Sequence, residues 1–379
     1  MTRDMMTGSE AVAYGVRLAR PHLIFAYPIT PQTHIVETLS ETAPSWGGRF
    51  INVESEFSAI ASCLGAVSAG SRAFTATSSH GLLLMHEVLH WVVGARMPMV
   101  LVNANRAVGS PWNIWTDQSD SLAQRDTGWV QIYCETCQEA MDTVIQAYYV
   151  SEKLLLPVMV MIDGFILSHT MEEVEVREQD KVDQFLPPYE PQFRLDVDNP
   201  RSFGNAALPD DYYQLRKGIQ ETFMSSLDLF EDCHSAFKRI FGVTYDLIEA
   251  WRCSDAETIF MVSGALTGTT RVAVDMLRHK GKKVGLIKLR VFRPFPYHAI
   301  RQVIGGGQRV IVLNRAVSYG AQGTLTQELR SAFYRIDHGP EIYDVIISLG
   351  GKEVFPETLV EIYEGIEENP GFGDEMIWL

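Results

Sequence analysis

The sequence has few cysteines and lacks the patterns that define most metal and redox sites. Its 379 residues include five cysteines, an odd and sparse set that excludes a disulfide framework. An iron–sulfur cluster would need four thiolates, and Cys134 and Cys137 form the sole C-x-x-C. We interpret this pair as packing where a strand runs into a helix, with half a metal site or a redox pair as the alternative. We therefore predict no metal ligands in this chain.

The sequence also lacks a long apolar run and an excess of positive charge. No stretch of about 18 apolar residues exists, so we expect no transmembrane helix, and the first residues have no apolar core of signal-peptide length. The 47 acidic and 32 basic residues give a formal net charge of −15. Nucleic acid and anionic membranes would repel such a chain. We therefore expect a cytoplasmic protein that binds neither nucleic acid nor membrane.

Familiar catalytic motifs are missing as well. The sequence has no G-x-S-x-G nucleophile elbow, no Walker pattern and no G-x-G-x-x-G. Residues 86–90, HEVLH, do match the letters of H-E-x-x-H, and we interpret His86 and His90 as residues that pack or contact a partner. The stretch from Gly264 to Gly268 is the nearest approach to a phosphate-binding loop, and we interpret it as a tight turn between a strand and a helix. The candidates for chemistry are therefore polar residues outside these motifs.

What the sequence does contain is a regular alternation of strands and helices. The first set of predicted strands consists of short runs rich in Val, Ile and Phe, near 22–28, 49–55, 72–78, 98–104, 129–135 and 157–164. Amphipathic segments separate them, which predicts βαβ units and a parallel sheet. Ligands of such α/β sheets bind at the carboxyl ends of the strands. A second α/β set begins near residue 255 and predicts a smaller parallel-sheet domain.

The stretch between the two sets has a different character. Charged residues are followed by a segment that contains Pro187, Pro188, Pro191 and Pro200. Because these prolines exclude regular structure, we interpret the segment as an extended arm that links two domains and could lie on a partner. Apolar residues at helical spacing predict a helix over about 211–241. We therefore divide the chain into residues 1–175, an arm and helical linker over 176–254, and residues 255–379.

Two acidic residues follow the second predicted strand and are candidates for a ligand role. Glu56 opens a helix rich in small residues, which would let it pack closely against a sheet or a partner. A carboxylate at this strand end could point at a buried ligand, or it could be a first-turn glutamate favoured by the helix dipole. Residue type alone favours the second interpretation. Glu54 competes for the same role, and the pattern does not separate the two.

Thr30 and Arg106 follow two other strands. Thr30 lies in the segment YPITP, where threonine is a natural helix N-cap and proline fits the first helical turn. Its hydroxyl and the free N–H groups could instead bind an anion such as a carboxylate. Arg106 directly follows an apolar strand, a position that suits bidentate carboxylate binding. The alternative for Arg106 is an ion pair with Asp117 or Asp120.

These segments together resemble the alpha subunit of the pyruvate:ferredoxin oxidoreductase family. The motifs of the first half are YPITP, ESEFSAI, FTATSSHGL, PWNIWTDQSDSLAQRDTGW and DGFILSHTMEEVEV. Those of the second half are KLRVFRPFP and IISLGGKEV. They occur in order over nearly the whole chain, so they are specific to the family and much less specific to its substrate. The resemblance implies an α/β fold, in which a pyrimidine-type thiamine-diphosphate-binding domain precedes a smaller domain like the carboxyl-terminal domain of transketolase.

The resemblance also implies roles for three residues. Glu56 matches the glutamate that hydrogen-bonds nitrogen N1′ of the aminopyrimidine ring of thiamine diphosphate, which favours Glu56 over Glu54. Arg106 matches the arginine that holds the substrate carboxylate, and Thr30 matches the threonine beside that carboxylate and the keto oxygen. These matches predict a catalytic, cofactor-binding Glu56 and a substrate site formed by Thr30 and Arg106.

A missing motif indicates that the active site is shared with other chains. Thiamine enzymes hold the diphosphate and Mg²⁺ through a G-D-G motif followed by an asparagine, and this sequence has none; Asp163 and Gly164 follow an isoleucine. The resemblance therefore implies a beta subunit that binds the diphosphate and Mg²⁺. It also implies [4Fe–4S] clusters on partner chains, gamma and delta subunits, and a dimer of heterotetramers.

The implied reaction is the oxidative decarboxylation of a 2-oxoacid, with coenzyme A as co-substrate and ferredoxin as electron acceptor. Pyruvate is the first candidate for the 2-oxoacid. One alternative is the same chemistry on phenylglyoxylate, indolepyruvate or 2-oxoisovalerate, with NAD reduced through a further subunit. The other is a non-catalytic scaffold, against which the retention of Glu56, Thr30 and Arg106 argues.

Overall fold

A computed structural model describes residues 2–369, 371 and 376–379. The strands in this part of the chain are β1 (Thr2–Thr7), β2 (Leu23–Ala26), β3 (Arg49–Asn52), β4 (Ala73–Thr77), β5 (Val100–Asn105), β6 (Val130–Tyr133), β7 (Val158–Asp163), β8 (Met171–Val176), β9 (Ile248–Trp251), β10 (Thr258–Val262), β11 (Val284–Leu289), β12 (Val291–Arg293), β13 (Arg309–Asn314), β14 (Glu341–Ile346) and β15 (Ile377–Trp378). The α-helices are α1 (Gly8–Ala19), α2 (Thr33–Thr42), α3 (Glu56–Ser68), α4 (Ser79–Leu84), α5 (His86–Gly94), α6 (Ser119–Leu122), α7 (Cys137–Leu154), α8 (Ile166–His169), α9 (Gln179–Phe185), α10 (Pro209–Phe241), α11 (Leu266–His279), α12 (Tyr297–Val303), α13 (Thr324–Ala332) and α14 (Pro356–Glu368). Short 3-10 helices cover Ala43–Trp46 and Leu349–Gly351.

The first half of the chain forms the larger sheet. Its seven strands lie in the order β12-β6-β7-β5-β4-β2-β3, and every neighbouring pair is parallel except β12 with β6. All residues of β5 and β7 are buried, because helices such as α3 and α7 cover the sheet, as parallel sheets require. The six strands predicted for this half are confirmed.

The second half forms a six-stranded sheet in the order β15-β14-β13-β10-β11-β9. Its neighbours are parallel except β9, which pairs antiparallel with β11. The four strands predicted here correspond to β10, β11, β13 and β14. The α/β class with two largely parallel sheets is therefore confirmed.

One continuous segment joins the two sheets. Strand β11 belongs to the six-stranded sheet, and β12, two residues later, pairs with β6 of the other sheet. Arg290 lies between these strands, and its Nε donates to Glu139 Oε1 on α7 over 2.9 Å. Lys288 Nζ donates to Glu139 Oε2 over 2.7 Å. All three side chains are buried, so a compact charged cluster fixes the crossing.

The proline-rich segment contains no helix or strand over residues 186–208, as predicted. It lies on this chain's own helices: the N–H of Leu195 donates to the carbonyl of Ser68 at the end of α3 over 2.7 Å, and Gly204 lies against the ring of Trp91 on α5. The predicted helix after it is α10, of 33 residues. In the described part of the chain, no helix has both the length and the apolar character of a membrane span.

The sequence did not predict the small antiparallel sheet of β1 and β8. Strand β1 pairs with β8 over its full length, from Thr2 opposite Val176 to Thr7 opposite Met171. Thr7 then caps α1 in a capping box with Glu10, so this sheet sets where α1 begins against the larger sheet.

Candidate active site

Four loops carry the candidate residues at one edge of the larger sheet. They follow β3, β2, β4 and β5, which are neighbours in that order. These strands are parallel, so their carboxyl ends lie side by side at the edge where α/β sheets bind ligands. The edge brings together Glu56, Thr30, the segment Thr77–Gly81 and Arg106. The three predicted site residues therefore belong to one surface.

Glu56 is the first residue of α3. Ser55 caps this helix by accepting the N–H of Ser58 over 3.2 Å, as serine commonly does at a helix start. Glu56 is only 7% exposed. Within the described residues, its carboxylate accepts no hydrogen bond. An ionised side chain in such a place is costly unless a ligand or another chain supplies the partner.

Glu54 lies in a different environment. It is exposed, and it accepts a hydrogen bond from the hydroxyl of Ser58, which lowers its pKa. Glu54 is therefore a solvated side chain with a local partner. The structure separates the two glutamates that the sequence pattern left equivalent, and Glu56 is the one buried at the sheet edge.

Gly81 on α4 allows Glu56 to lie where it does. A β-carbon at Gly81 would be 2.5 Å from Glu56 Oε1 and 2.5 Å from Thr77 Oγ1, so any other residue would displace the carboxylate. The hydroxyls of Thr77 and Ser78 are buried and have no partner among the described residues. The segment FTATSSHGL was recognised in the sequence as a family motif, but the roles of Thr77 and Gly81 were missed, because both depend on the position of Glu56.

Thr30 and Arg106 are in direct contact. Arg106 Nη1 donates to the backbone carbonyl of Thr30 over 2.7 Å. The Thr30 side chain is exposed. The prediction that Thr30 caps the next helix is wrong, because α2 begins at Thr33 with Gln32 at the N-cap position. Gln32 is buried and donates from its side chain to the carbonyls of Tyr27 and Ala76, which holds the turn that presents Thr30.

The Arg106 guanidinium has spare hydrogen-bonding capacity. The side chain is 4% exposed, and its Nε is buried without a partner among the described residues. Burial lowers its pKa, and the Asp120 carboxylate opposes that effect. In the described part of the chain, no carboxylate forms an ion pair with this guanidinium, so the predicted alternative of a pair with Asp117 or Asp120 is wrong. The fork is free to bind an external carboxylate.

Asp120 organises this part of the edge, although no sequence pattern separates it from nearby acidic residues. Its Oδ2 accepts the N–H groups of Ser79 and Arg106 and the side chain of Asn103, and its Oδ1 accepts from Asn105. Asp120 is fully buried. Burial raises its pKa to about 6, although the hydrogen bonds from its neighbours lower it. Asp120 thus fixes the ends of β4 and β5 relative to each other.

The loop after Arg106, residues 107–118, carries two exposed tryptophans and is called here the tryptophan loop. Trp112 is 75% exposed and Trp115 is 52% exposed, whereas Trp129, outside the loop, is fully buried. Of the three tryptophans, Trp129 therefore packs in the core, whereas the two in the loop do not. The guanidinium of Arg106 lies 5.9 Å from the centre of the Trp112 ring.

The C-x-x-C pair lies where β6 ends and α7 begins. Strand β6 ends at Tyr133 and α7 begins at Cys137, so the interpretation as a strand running into a helix is confirmed. Both thiols are buried, and burial raises the pKa of each to about 12. They are therefore protonated, and thiols in that state are poor nucleophiles and metal ligands. Among the described residues, no group of three or more His, Cys, Asp or Glu could hold a metal ion.

Comparison with known proteins identifies the family. Residues 14–232 match the family described as pyruvate flavodoxin/ferredoxin oxidoreductase, thiamine diphosphate-binding, and residues 256–359 match pyruvate:ferredoxin oxidoreductase core domain II. The chain belongs to the 2-oxoacid:ferredoxin oxidoreductase family, as an alpha subunit.

Two relatives are similar over nearly their whole length. Pyruvate synthase subunit PorA of Methanothermobacter thermautotrophicus is 44% identical over 374 residues, which are 98% of this chain and 96% of that one. Ketoisovalerate oxidoreductase subunit VorA of Pyrococcus horikoshii is 42% identical over 370 residues, which are 97% of this chain and 94% of that one. The family resemblance predicted from the motifs is therefore confirmed, and the relatives' names divide between two substrates.

Solved structures agree on the fold. The 2-oxoglutarate:ferredoxin oxidoreductase of Magnetococcus marinus, solved with 2-oxoglutarate, coenzyme A and succinyl-CoA bound, superposes with a TM-score of 0.76 at 22% identity, over 96% of this chain and 65% of its own. A split-gene transketolase, an inactive beta4 tetramer, superposes with a TM-score of 0.55 at 11% identity, over 95% of this chain and 97% of its own. At these identities the likeness concerns the fold alone. This chain spans just under two thirds of the length of the Magnetococcus chain.

The residues around Glu56 fit one part of thiamine diphosphate. A buried carboxylate without a partner and the unpartnered hydroxyls of Thr77 and Ser78 suit the nitrogen groups of an aminopyrimidine ring. The sequence has no G-D-G motif that would bind the diphosphate and its Mg²⁺.

Proposed function

We propose that this chain is the catalytic alpha subunit of a 2-oxoacid:ferredoxin oxidoreductase that decarboxylates pyruvate, and that Glu56 activates the aminopyrimidine of thiamine diphosphate. The observation that carries the proposal is the buried, unpartnered carboxylate of Glu56 at the same sheet edge as the guanidinium of Arg106, whose Nε has no partner among the described residues. One group suits the cofactor and the other suits a 2-oxoacid carboxylate.

Each residue has a defined task in this proposal. The Glu56 carboxylate shares a proton with nitrogen N1′, and Gly81 leaves room for it to do so. Arg106 binds the substrate carboxylate through its free N–H groups, and the exposed Thr30 hydroxyl donates to the keto oxygen or to the same carboxylate. Bound thiamine diphosphate would supply the carbon nucleophile and retain the electron pair released when carbon dioxide leaves. Arg106 and Thr30 orient the acid so that the bond between its carboxylate carbon and its keto carbon breaks next.

The rest of the reaction is assigned to partner chains. We propose that a beta subunit binds the diphosphate and Mg²⁺ and that partner [4Fe–4S] clusters carry the electron pair to ferredoxin. The acyl group passes to coenzyme A, which loses its thiol proton, to give the acyl-CoA. The assembly proposed is a dimer of heterotetramers with gamma and delta subunits. The proposed division of the chain into residues 1–175, 176–254 and 255–379 places every site residue in the first part.

A branched 2-oxoacid is the second candidate substrate. The VorA relative is named for ketoisovalerate and is only two percentage points less identical than the PorA relative, so 2-oxoisovalerate competes directly with pyruvate. Phenylglyoxylate and indolepyruvate remain weaker candidates, and so does NAD as the acceptor. The exposed Trp112 and Trp115 beside Arg106 are the residues that a larger side chain would meet.

A substrate panel with the native complex tests the proposal. The purified complex is assayed with pyruvate, 2-oxoisovalerate, phenylglyoxylate and indolepyruvate, each with coenzyme A and a viologen dye, and separately with NAD. We expect the highest kcat/KM with pyruvate. A higher kcat/KM with 2-oxoisovalerate than with pyruvate would make 2-oxoisovalerate the preferred substrate. If no 2-oxoacid were turned over, the alternative of a non-catalytic scaffold would stand in place of the proposal.

Calorimetry tests the shared site. We expect the isolated chain to bind thiamine diphosphate poorly, since the diphosphate and Mg²⁺ ligands are assigned to the beta subunit, and the complex to bind it tightly. Micromolar affinity for the isolated chain would contradict the division of the site between subunits.

A further inference from the structure

The tryptophan loop rests on a turn of the other sheet. This turn, residues 348–351, follows β14 and is called here the glycine turn. Asn113 Nδ2 donates to the carbonyl of Gly350 over 3.0 Å, and the N–H of Gly350 donates to Asp117 Oδ2 over 3.2 Å. Trp115 lies against Gly351. The loop that follows Arg106 is therefore held from outside the sheet to which Arg106 belongs.

The two glycines of the turn are required both by their backbone and by their neighbours. Gly350 has φ 56° and Gly351 has φ 78°, values that favour glycine. A β-carbon at Gly350 would lie 2.5 Å from Asn113 Nδ2, and one at Gly351 would lie 2.4 Å from Trp115 Cβ. These distances are far below van der Waals contact, so a side chain at either position would displace the tryptophan loop.

The far end of the loop is held by the same sheet. The N–H of Gln118 donates to the carbonyl of Arg315, after β13, over 2.8 Å. The Ser263 hydroxyl, after β10, donates to Gln118 Oε1 over 3.0 Å. Three strand ends of the six-stranded sheet thus contact residues 113–118, and the contacting residues other than Trp115 are buried or half-buried.

One backbone hydrogen bond links the contact between Trp115 and the glycine turn to the residue next to Arg106. The N–H of Ala107 donates to the carbonyl of Trp115 over 2.9 Å, so Trp115, which touches the glycine turn, is bonded to the residue next to Arg106. Trp112, between them, places its ring over the guanidinium. A shift of Trp115 would therefore move both the backbone beside Arg106 and the aromatic cover of its side chain.

We propose that the glycine turn is a positioning element for the substrate carboxylate: it holds the tryptophan loop so that Arg106 and Trp112 face an incoming 2-oxoacid. This inference rests on the proposed role of Arg106. Displacing the loop at residues 113–117 weakens substrate binding and leaves the cofactor residue Glu56 in place. The hydrogen bonds between the loop and α4 lie at its other end, at Ala107 and Gly109, and join Ser79 and His80 rather than Glu56. The expected signature is a raised KM for the 2-oxoacid with little change in kcat.

Two alanine substitutions at matched glycines test the proposal. Gly307 has φ 79° and no neighbour within 4 Å of the position of a β-carbon, whereas Gly351 has φ 78° and the Trp115 collision. Both variants introduce the same backbone strain, and only Gly351→Ala pushes on the loop. In the assembled complex we expect Gly351→Ala to raise KM for the preferred 2-oxoacid at least about tenfold, with kcat within about twofold and thiamine diphosphate affinity unchanged. We expect Gly307→Ala to match wild type.

Asn113→Asp provides a second route if Gly351→Ala does not assemble. The substitution keeps the Oδ1 acceptor that binds the N–H of Trp115 over 2.6 Å and replaces the donor to Gly350 by an oxygen. We expect the same rise in KM. Wild-type KM for Gly351→Ala and Asn113→Asp, or equal effects at Gly351 and Gly307, would overturn the inference. Absence of 2-oxoacid activity in the wild-type complex would instead contradict the proposed function.

Discussion

Arg315 and Asp163 form a buried ion pair between the two sheets: Arg315 Nη1 donates to Asp163 Oδ1 over 2.5 Å, and each side chain is 1% exposed. Asp163 ends β7 and Arg315 follows β13, so the pair joins the carboxyl edges of the larger and smaller sheets. Asp163 Oδ2 also accepts the N–H of Ala265 at the start of α11 over 2.6 Å. The two halves of the chain are thus fixed to each other directly behind the candidate site.

Breaking this pair should destabilise the chain strongly. Arg315→Met leaves Asp163 buried without its cation, and an unpaired buried charge costs about 3–5 kcal/mol. Urea unfolding of the purified chain measures the loss. Arg252→Met is the matched control, since Arg252 pairs with Asp275 at 2.8 Å in a half-exposed position, and surface pairs contribute little. If both variants lost the same free energy of unfolding, the buried pair would contribute no more to stability than the exposed pair.

Glu56→Gln should cut turnover at least about a hundredfold, the effect expected when a positioned acid–base group is lost. The amide keeps the size of the side chain, so the complex should assemble and bind substrate as before. Steady-state kinetics with saturating 2-oxoacid give the comparison.

Glu54→Gln is the control for Glu56, two residues away. Because Glu54 is exposed and contacts Ser58 rather than the buried edge, its substitution should leave kcat within about twofold of wild type. A large loss at Glu54 together with a small one at Glu56 would reverse the assignment of the two glutamates.

Arg106→Lys should raise KM for the 2-oxoacid at least about tenfold, because a lysine keeps the charge but lacks the planar fork that binds a carboxylate through two N–H groups. It should also lose the contact with the Thr30 carbonyl. Initial rates over a range of 2-oxoacid concentrations measure the effect.

Arg125→Lys is the control for that charge-conserving change, since Arg125 pairs only loosely with Asp126, at 3.8 Å. The proposed carboxylate site would have to be abandoned if Arg106→Lys and Arg125→Lys gave the same KM.

His234 predicts a pH dependence of stability. Burial, together with Arg290, whose Nη1 lies 3.3 Å from His234 Nε2, lowers the pKa of His234 to about 3. The unfolded chain takes up this proton near pH 6.5, so the contribution is present above that pH and is lost as pH falls. We expect the free energy of unfolding to drop by about 1 kcal/mol from pH 6 to pH 5 through this residue.

Comparing His234→Gln with wild type isolates that contribution. Glutamine keeps an acceptor for Arg290 and does not titrate, so the difference in unfolding free energy between the two proteins should change by about 1 kcal/mol over that pH interval. His298→Gln, at an exposed position, should show no such change. A pH-independent difference for His234→Gln would contradict a neutral buried histidine.

Local sequence was sufficient for the strands and for where their loops fall. Runs such as residues 98–104 and 157–164 are continuous and apolar because both faces of β5 and β7 are covered, so strands and strand ends could be predicted together. The position of Glu56 at a strand end followed from this, whereas its burial, and the exposure of Glu54, depend on α4 packing against α3.

Other features depend on pairings between distant residues. Asp120 lies in a polar stretch and looks solvated, yet donors from the ends of β4 and β5 surround it. Strand β12 is three residues long and reads as the tail of β11, although its partner β6 is more than 150 residues earlier in the chain. Thr30 before Pro31 gives a strong local capping signal, but the chain takes two more residues in a turn before α2 begins. Local patterns do not contain this information.

The crossing of β12 has a consequence for how the protein is made. The larger sheet receives its last strand from residues 291–293, after the helical linker and the first 36 residues of the second half have been synthesised. Until then, β6 is an open edge that can pair with other strands. If the gene were divided near residue 254, β6 and β12 would lie on separate fragments and would have to pair when the fragments associate. In the intact chain, the larger sheet is complete only after residues 291–293 have emerged from the ribosome.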